Sequence, residues 1–221
     1  MVGTVLDRSA HRGRASRRDC RVQRSFDRFL AAPFFVADGM NEHGVTVALG
    51  SHRPQEAVLD PERPTVHVSA LCRLVLDRAR TVEEALALAE GRNVFDIRDK
   101  GAYLLEHHVL VADPSGASVV LEVADGRMRP VSSERRDQIA TNFRLHGLDE
   151  VGRKDQCTRY ASLSDGVGSV DRTFEWTDAM RLLRAVSGSA PRSTVYDLEG
   201  REVIVVTDRR YLQPLRIRPF D

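Results

Sequence analysis

The chain has 221 residues, 42% of them apolar, and a formal net charge of +1, which is ordinary for one water-soluble domain with a full hydrophobic core. No run of eighteen apolar residues occurs and the first residues lack an apolar signal segment, so the sequence predicts no membrane-spanning helix and a cytoplasmic location. The three cysteines, Cys20, Cys72 and Cys157, have neither disulfide-framework nor zinc-site spacing, so reduced thiols are expected.

The first 28 residues differ in composition from the rest of the chain. They hold eight arginines against three aspartates and show no periodic apolar positions. We therefore predict a poorly ordered arginine-rich arm over residues 1–28 and one folded domain over residues 29–221. The arm has almost no interleaved aromatic residues and no recognised binding motif, so no nucleic-acid partner is predicted.

The folded domain is predicted to begin with two strands joined by a polar turn between Gly39 and Gly44. Val45, Val47 and Leu49 alternate as in a strand, and the glycines permit positive φ, so Asn41 would project from the turn. Two helices are predicted next, over residues 68–79 and 81–91, because apolar residues recur there at steps of three and four.

The remaining pattern is of strands, then helices, then strands. Residues 108–112 and 118–123 read as a hairpin with a further strand toward residue 131, and residues 138–143 read as another strand. Helices are predicted around 155–163 and 177–186, and strands over 193–197, 202–206 and 211–217. This order is compatible with an α+β fold built as a four-layer αββα sandwich.

Three short motifs occur in order along the chain. They are Gly-Met-Asn-Glu at 39–42, Thr-Asn-Phe at 141–143 and Cys-Thr-Arg-Tyr at 157–160. Their order and rough spacing resemble the choloylglycine hydrolase and penicillin acyltransferase branch of the N-terminal-nucleophile (Ntn) hydrolases, over residues 29–220. The resemblance implies an αββα sandwich, here incomplete at its N-terminal side. It further implies a hydrolase or acyltransferase acting on a linear small-molecule acyl amide, in a family that often forms homo-oligomers. The sequence contains no Walker loop, dinucleotide fingerprint or Cys/His metal cluster, so no cofactor is implied.

The same resemblance implies that Asn41, Asn142 and Arg159 belong to a catalytic centre. A side-chain amide offers neutral N–H donors for an oxyanion, and an arginine can hold a thiolate or a substrate carbonyl. Taken without the resemblance, Asn41 is an ordinary turn asparagine and Arg159 is a helix-surface residue paired with Asp155. Cys157 lies near Arg159 in sequence but matches no nucleophile of the family.

The nucleophile of that family is an N-terminal cysteine, followed by a strand and an Arg-Asn-x-Asp segment. Cys20 is the one cysteine before the Gly39 turn, but about 18 residues are too few for that layer, and a surface cysteine in the arm is the simpler interpretation. Two hypotheses therefore stay open: a hydrolase that is truncated because its start is misplaced, and an inactive relative that acts as a binding or scaffolding protein.

Two further patterns in the sequence are interpreted as structural. Residues 91–96 contain Arg, Asn and Asp in the order of the family's Arg-Asn-x-Asp segment, with one extra residue before Asp96. They follow the turn instead of preceding it and read as a helix end and a polar loop. His107 and His108 are adjacent on a predicted strand and would point to opposite faces, so no shared metal ion is expected.

Overall fold

The computed structural model describes residues 2–5, 34–131, 137–170 and 173–220, with residues 2–5 described by their backbone. The helices of the described part are α1 (Val68–Arg78), α2 (Val82–Glu90), α3 (Glu150–Gln156), α4 (Thr158–Gly168) and α5 (Trp176–Val186). Its strands are β1 (Val2–Val5), β2 (Asp38–Met40), β3 (Thr46–Ala57), β4 (Thr65–His67), β5 (Asn93–Phe95), β6 (Ile97–Asp99), β7 (Ala102–Ala112), β8 (Ser118–Ala124), β9 (Arg127–Pro130), β10 (Arg192–Asp197), β11 (Glu202–Thr207) and β12 (Leu215–Ile217). No helix within these ranges has the length and apolar content needed to cross a bilayer.

The strands form two main sheets. The central sheet has the order β2-β3-β7-β8-β9, with β6 also paired to β7, and the C-terminal sheet has the order β1-β10-β11-β12. Every pairing in these two sheets is antiparallel, whereas β4 and β5 form a separate parallel pair. Both main sheets therefore have faces that helices or the other sheet can cover.

Packing arranges the sheets and helices in four layers. Helices α1 and α2 pack on one face of the central sheet through a core that includes Leu71, Val75, Val109 and Leu121. Helix α5 packs on the outer face of the C-terminal sheet through Met180, Leu183, Val195 and Ile204. Ala112, Tyr196 and Leu198 pack together between the two sheets. The layer order is α, β, β, α, which confirms the predicted sandwich.

The side chains of the β7–β8 hairpin alternate between the two faces of the central sheet. Val109 and Val111 of β7 join the core beneath α1 and α2, whereas Leu110 and Ala112 belong to clusters on the opposite face. This alternation follows from the two-residue period of a strand. The hairpin predicted from that period is confirmed, and its Asp113 carboxylate accepts from the backbone N–H of Val82 at the start of α2.

Two predicted elements are wrong, and two others have different bounds. The helix predicted around 155–163 is confirmed as α4, which begins at Thr158 after α3 ends at Gln156, and the strand predicted over 211–217 is limited to β12. Residues 138–143 form no strand. The polar loop predicted after Gly91 contains β5, where the buried Asn93 side chain donates to the carbonyls of Asp60 and Arg63. The partners of Asn93 lie 33 and 30 positions away in sequence, beyond the reach of local periodicity.

The predicted arm lies almost entirely outside the described residues. Its residues Val2–Val5 form β1, which pairs with β10 in antiparallel register. The division of the chain into an arm over residues 1–28 and a domain over residues 29–221 stays a prediction.

Gly44 allows the turn after β2 to touch two other loops. Its φ is +80°, and an added Cβ would lie 2.6 Å from Pro114 Cγ and 3.0 Å from the Leu198 carbonyl oxygen. We expect Gly44→Ala to lower the free energy of unfolding by about 2 kcal/mol, from backbone strain plus overpacking, in urea unfolding. Gly116→Ala is the matched control, because its φ is +87° and no atom lies within 4 Å of the added Cβ. Equal losses in the two variants would contradict the overpacking contribution.

Candidate active site

Asn142 and Arg159 are brought together although 17 positions separate them. The Arg159 guanidinium donates through Nη2 to Oδ1 of Asn142. Asn142 is exposed and Arg159 is half-buried, so the pair lies at the protein surface. The sequence alternative in which Arg159 pairs with Asp155 is not what the structure shows.

The start of α4 places Arg159 beside this loop. Cys157 is the residue before the helix, with an extended backbone at φ −155° and ψ 118°, and Thr158 begins the helix. This extended residue separates α3 from α4 and places Arg159 in the first turn of α4. A helix N-terminus also carries unpaired N–H groups, which favour negative charge nearby.

A buried histidine and glutamate lie beneath the loop that carries Asn142. His108 Nδ1 lies 2.6 Å from Glu122 Oε1, and the two side chains are 0% and 1% exposed. The other ring nitrogen of His108, Nε2, lies 2.8 Å from the carbonyl oxygen of Thr141. Because a carbonyl oxygen only accepts, Nε2 carries the hydrogen in this contact.

Glu122 binds the far end of the same loop. Its carboxylate accepts from the backbone N–H of Leu145 at 2.8 Å and of His146 at 2.9 Å. Burial opposes ionisation, but the contact with His108 and these two N–H donors hold the pKa of Glu122 below its ordinary value. The loop from Thr141 to His146 is thus attached to the central sheet at both ends.

His52 extends this buried group toward β3. Its ring lies against that of His108, with centroids 4.6 Å apart, and its Nδ1 lies 2.6 Å from the carbonyl of Arg53. Burial, reinforced by the neighbouring His108, lowers the pKa of His52. His107, on the opposite face of β7, instead pairs with Asp96 at 3.0 Å, so the two adjacent histidines face opposite sides.

The two described cysteines differ in environment. Burial raises the pKa of the Cys72 thiol to about 12. Burial also disfavours the Cys157 thiolate, but the Thr141 side chain, the backbone N–H groups of Tyr160 and Arg159, and the Arg159 charge together hold the pKa of Cys157 below its ordinary value. Cys157 is therefore the more nucleophilic of the two thiols.

We expect iodoacetamide near neutral pH to alkylate Cys157 well before Cys72 in the folded protein. The physical reason is that only the thiolate reacts, and Cys72 is both buried and protonated. Peptide mapping by mass spectrometry measures the two rates separately. Urea-unfolded protein is the control, in which both thiols should react alike, and faster labelling of Cys72 in the folded state would contradict the expectation.

Asn41 forms a different kind of site from Asn142. Its Nδ2 donates to the carbonyls of Leu76 and Ala79, at 3.1 and 2.7 Å, and its Oδ1 accepts from the N–H groups of His43 and Val45. Each partner can act in one direction alone, so the orientation of the amide is unambiguous. Asn41 is 5% exposed and joins the β2–β3 turn to α1, across the central sheet from the Asn142 loop. Contrary to the predicted projection from the turn, both its donors are used internally.

A cavity of about 500 Å³ lies beside the Asn142 loop. Its lining is mainly apolar and includes Leu110 and Ala112 of β7, Ile139 before the loop, and Leu163 and Val167 of α4. Leu163 and Val167 follow Arg159 at four-residue steps, so all three lie on one side of α4. The described residues contain no group of three His, Cys, Asp or Glu side chains that fits a metal ion.

Residues 27–136, about half of the chain, match the model of the linear amide C–N hydrolases of the choloylglycine hydrolase family. The chain belongs to this family. Solved structures support the same Ntn-hydrolase fold. Penicillin V acylase from Agrobacterium tumefaciens matches with a TM-score of 0.60 at 19% identity, over 83% of this chain and 65% of that chain. Two variants of the conjugated bile acid hydrolase from Clostridium perfringens match with a TM-score of 0.60 at 16% identity, over 83% of this chain and 72% of theirs. A search of curated protein sequences gave no match.

The region that matches the choloylglycine hydrolase family contains only some of the candidate site residues. It includes Asn41, His108 and Glu122 but ends before Asn142 and Arg159. The chain spans about two thirds of the length of these solved relatives. Cys20, the candidate nucleophile, lies outside the described residues, between the ranges 2–5 and 34–131.

Sequence reasoning about this choloylglycine hydrolase relative missed Glu122 and interpreted His108 as structural. Glu122 carries a readable signal, because it is a single charge within the otherwise apolar strand Ser118–Ala124. A charge at such a position is buried only with a partner. The identity of that partner, across the hairpin on β7, follows from the register and not from local spacing.

Proposed function

We propose that this chain is a linear amide hydrolase that uses Asn142 and Arg159 at its active centre. The observation that supports this most directly is the Arg159 hydrogen bond to Asn142. An apolar cavity lies close to this pair, because its lining includes residues 137–140, just before Asn142, and Leu163, one turn after Arg159 on α4. Because Arg159 occupies Oδ1, the Nδ2 hydrogens of Asn142 point away from the guanidinium. They are then directed toward a group that accepts, such as the oxyanion of a tetrahedral intermediate.

The proposed reaction uses a cysteine thiolate, with Cys20 as the candidate nucleophile. The thiolate forms a C–S bond to the amide carbonyl carbon, and the carbonyl oxygen becomes an oxyanion that accepts from Asn142. The oxyanion then collapses and the C–N bond breaks, and the leaving amine takes up the proton that the thiol first gave to a general base, which restores that base. Water hydrolyses the resulting thioester to a carboxylic acid and restores the thiol, whereas an acceptor amine would instead give acyl transfer.

The cavity indicates which part of the substrate binds beside the reacting bond. Its walls are mainly aliphatic, so they favour an apolar acyl group over a charged one. We propose a small-molecule amide with an apolar acyl portion, whose carbonyl lies near Asn142 at the N-terminal end of α4.

A non-catalytic binding protein is the second candidate. The cavity is formed by β7, β8, the loop before Asn142 and the two helices α4 and α5, and it needs no nucleophile to accept an apolar group. Binding of an acyl amide without release of its amine would distinguish this function from hydrolysis.

The test uses N-acyl derivatives of 7-amino-4-methylcoumarin with straight-chain acyl groups of increasing length. We expect release of the fluorescent amine, and a fall in kcat/KM of about 10²-fold in Asn142→Ala, the typical effect of removing one oxyanion donor. Arg159→Lys should also fall, because an ammonium cannot reproduce the guanidinium geometry. Arg181→Lys is the matched control on α5, where the exposed Arg181 pairs with Asp178.

Three outcomes separate the possibilities. Turnover that falls in both site variants but not in Arg181→Lys supports the proposed function. Binding of the same amides by calorimetry without turnover supports the second candidate. Turnover that is equal in all variants contradicts the roles of Asn142 and Arg159, and retention of turnover in Cys20→Ala contradicts Cys20 as the nucleophile.

A further inference from the structure

We propose that His108 and Glu122 act together as a buried positioning pair that fixes the loop from Thr141 to His146, and thereby the geometry of Asn142 and Arg159. This inference rests on the proposed function for its effect on catalysis. Its structural part concerns the loop alone, and it assigns a role to two side chains that do not themselves contact a substrate.

The first step is that the pair forms hydrogen bonds to the loop at two separated points. His108 Nε2 lies 2.8 Å from the Thr141 carbonyl, immediately before Asn142. Glu122 accepts from the N–H groups of Leu145 and His146 at the other end. Asn142 lies between these two attachments, so its backbone is held on both sides.

The second step is that the side chains of His108 and Glu122 hold each other in position. His108 Nδ1 and Glu122 Oε1 are 2.6 Å apart, and both side chains are almost fully enclosed. Glu122 faces Leu145, His146 and His108, and the other ionisable group packed against His108 is His52. Removal of either member leaves the other with a buried polar atom that has lost its partner.

The third step is that the loop has no regular structure of its own. Residues 137–149 form neither helix nor strand, so no backbone ladder fixes their position. The Arg144 side chain adds a hydrogen bond to the Val123 carbonyl at 3.1 Å, again on β8. The central sheet therefore positions this loop chiefly through side chains, and the enclosed pair supplies three of the contacts.

The thiol of Cys157 reports on this position independently of catalysis. The Thr141 side chain and Arg159 are among the groups that favour its thiolate. Displacement of the loop moves Thr141 and separates Asn142 from Arg159, so the two groups that influence this thiolate change position. A change in the pH profile of Cys157 alkylation therefore records loop displacement in a folded protein, whether or not the protein turns over a substrate.

The experiment compares Glu122→Gln, Glu122→Asp and His108→Gln with the wild type. Iodoacetamide rates at Cys157 are measured against pH by peptide mapping, with the folded fraction checked by circular dichroism. We expect the apparent pKa of Cys157 to rise in Glu122→Gln and His108→Gln. Glu122→Asp should restore it in part, because it keeps the charge at a shorter reach. Val206→Ala is the control, since it removes methyl groups from the remote core of the C-terminal sheet and lowers stability without touching the loop.

Activity provides the second readout. On the coumarin amides, kcat should fall by about 10²-fold in Glu122→Gln with a smaller change in KM, as expected for misplaced catalytic groups. If the Cys157 profile shifts while even the wild type shows no turnover, the positioning pair stands and the proposed hydrolase fails. If the wild type turns over but neither kcat nor the Cys157 profile changes, the positioning pair is overturned and the hydrolase stands. The positioning role would also be overturned if the pH profile of Cys157 shifted equally in Val206→Ala. It would be overturned as well if Glu122→Gln were unfolded and the Cys157 profile were unchanged in His108→Gln.

Discussion

Replacing Asn41 with alanine is expected to lower the free energy of unfolding by about 3 kcal/mol, one of the two largest stability effects at the residues discussed. The reason is that four hydrogen bonds are lost at a residue that is 5% exposed, and the carbonyls of Leu76 and Ala79 lose their donor. Urea unfolding followed by circular dichroism measures the change. A loss of this size would show that Asn41 has a structural role, which is to connect the β2–β3 turn to α1.

Asn142→Ala is the matched control for Asn41→Ala. Asn142 is exposed and its known partner is Arg159, so truncation should change stability by less than about 0.5 kcal/mol. The two asparagines should thus separate: Asn41 affects folding, and Asn142 affects turnover. A stable Asn41→Ala protein without activity would instead support the sequence prediction that Asn41 serves as an oxyanion donor.

Glu122→Gln is expected to lower the free energy of unfolding at pH 7 by about 3 kcal/mol or more, the usual cost of breaking a buried charge pair by removing one partner. The pKa of Glu122 is depressed below its ordinary value of 4.5 in the folded protein. Its stabilising contribution is therefore fully present above the unfolded pKa and is lost as pH falls through the folded pKa.

The pH dependence provides the decisive comparison for that variant. Because glutamine does not titrate, the difference in stability between wild type and Glu122→Gln should be constant near neutrality and should shrink as pH falls below about 4.5. Urea unfolding at a series of pH values measures it. A difference that stays constant down to acidic pH would mean that the carboxylate charge contributes nothing.

Much of the fold could be predicted because its signals are local. The β7–β8 hairpin follows from alternating apolar residues around Asp113 and Gly116, and α2 follows from Thr81, whose hydroxyl accepts from the Glu84 N–H at 3.2 Å. Two of the three motifs also meet in space, as Asn142 and Arg159 do. In these cases the sequence pattern and the tertiary structure require the same residues.

The rest could not be predicted because its causes are distant in sequence. Residues 138–143 read as a strand, but the Thr141 carbonyl within them accepts from a histidine side chain on β7, and Leu145 and His146 just beyond them donate to a carboxylate on β8. Asn41 reads as a turn residue, but its donors reach α1, 35 and 38 positions away. A single sequence does not show which distant residue will form a buried hydrogen bond with such a group.

The alternation of β7 has an evolutionary consequence. Val109 and Val111 maintain the core under α1 and α2, while their neighbours His108 and Leu110 face the loop and the cavity. Neighbouring positions of this strand therefore have separate structural roles, one set in the core and the other beside the loop and the cavity. Changes in the cavity-facing residues can accumulate and alter ligand preference while the apolar set keeps the scaffold intact. Substrate range in such a sandwich can drift without a change of architecture.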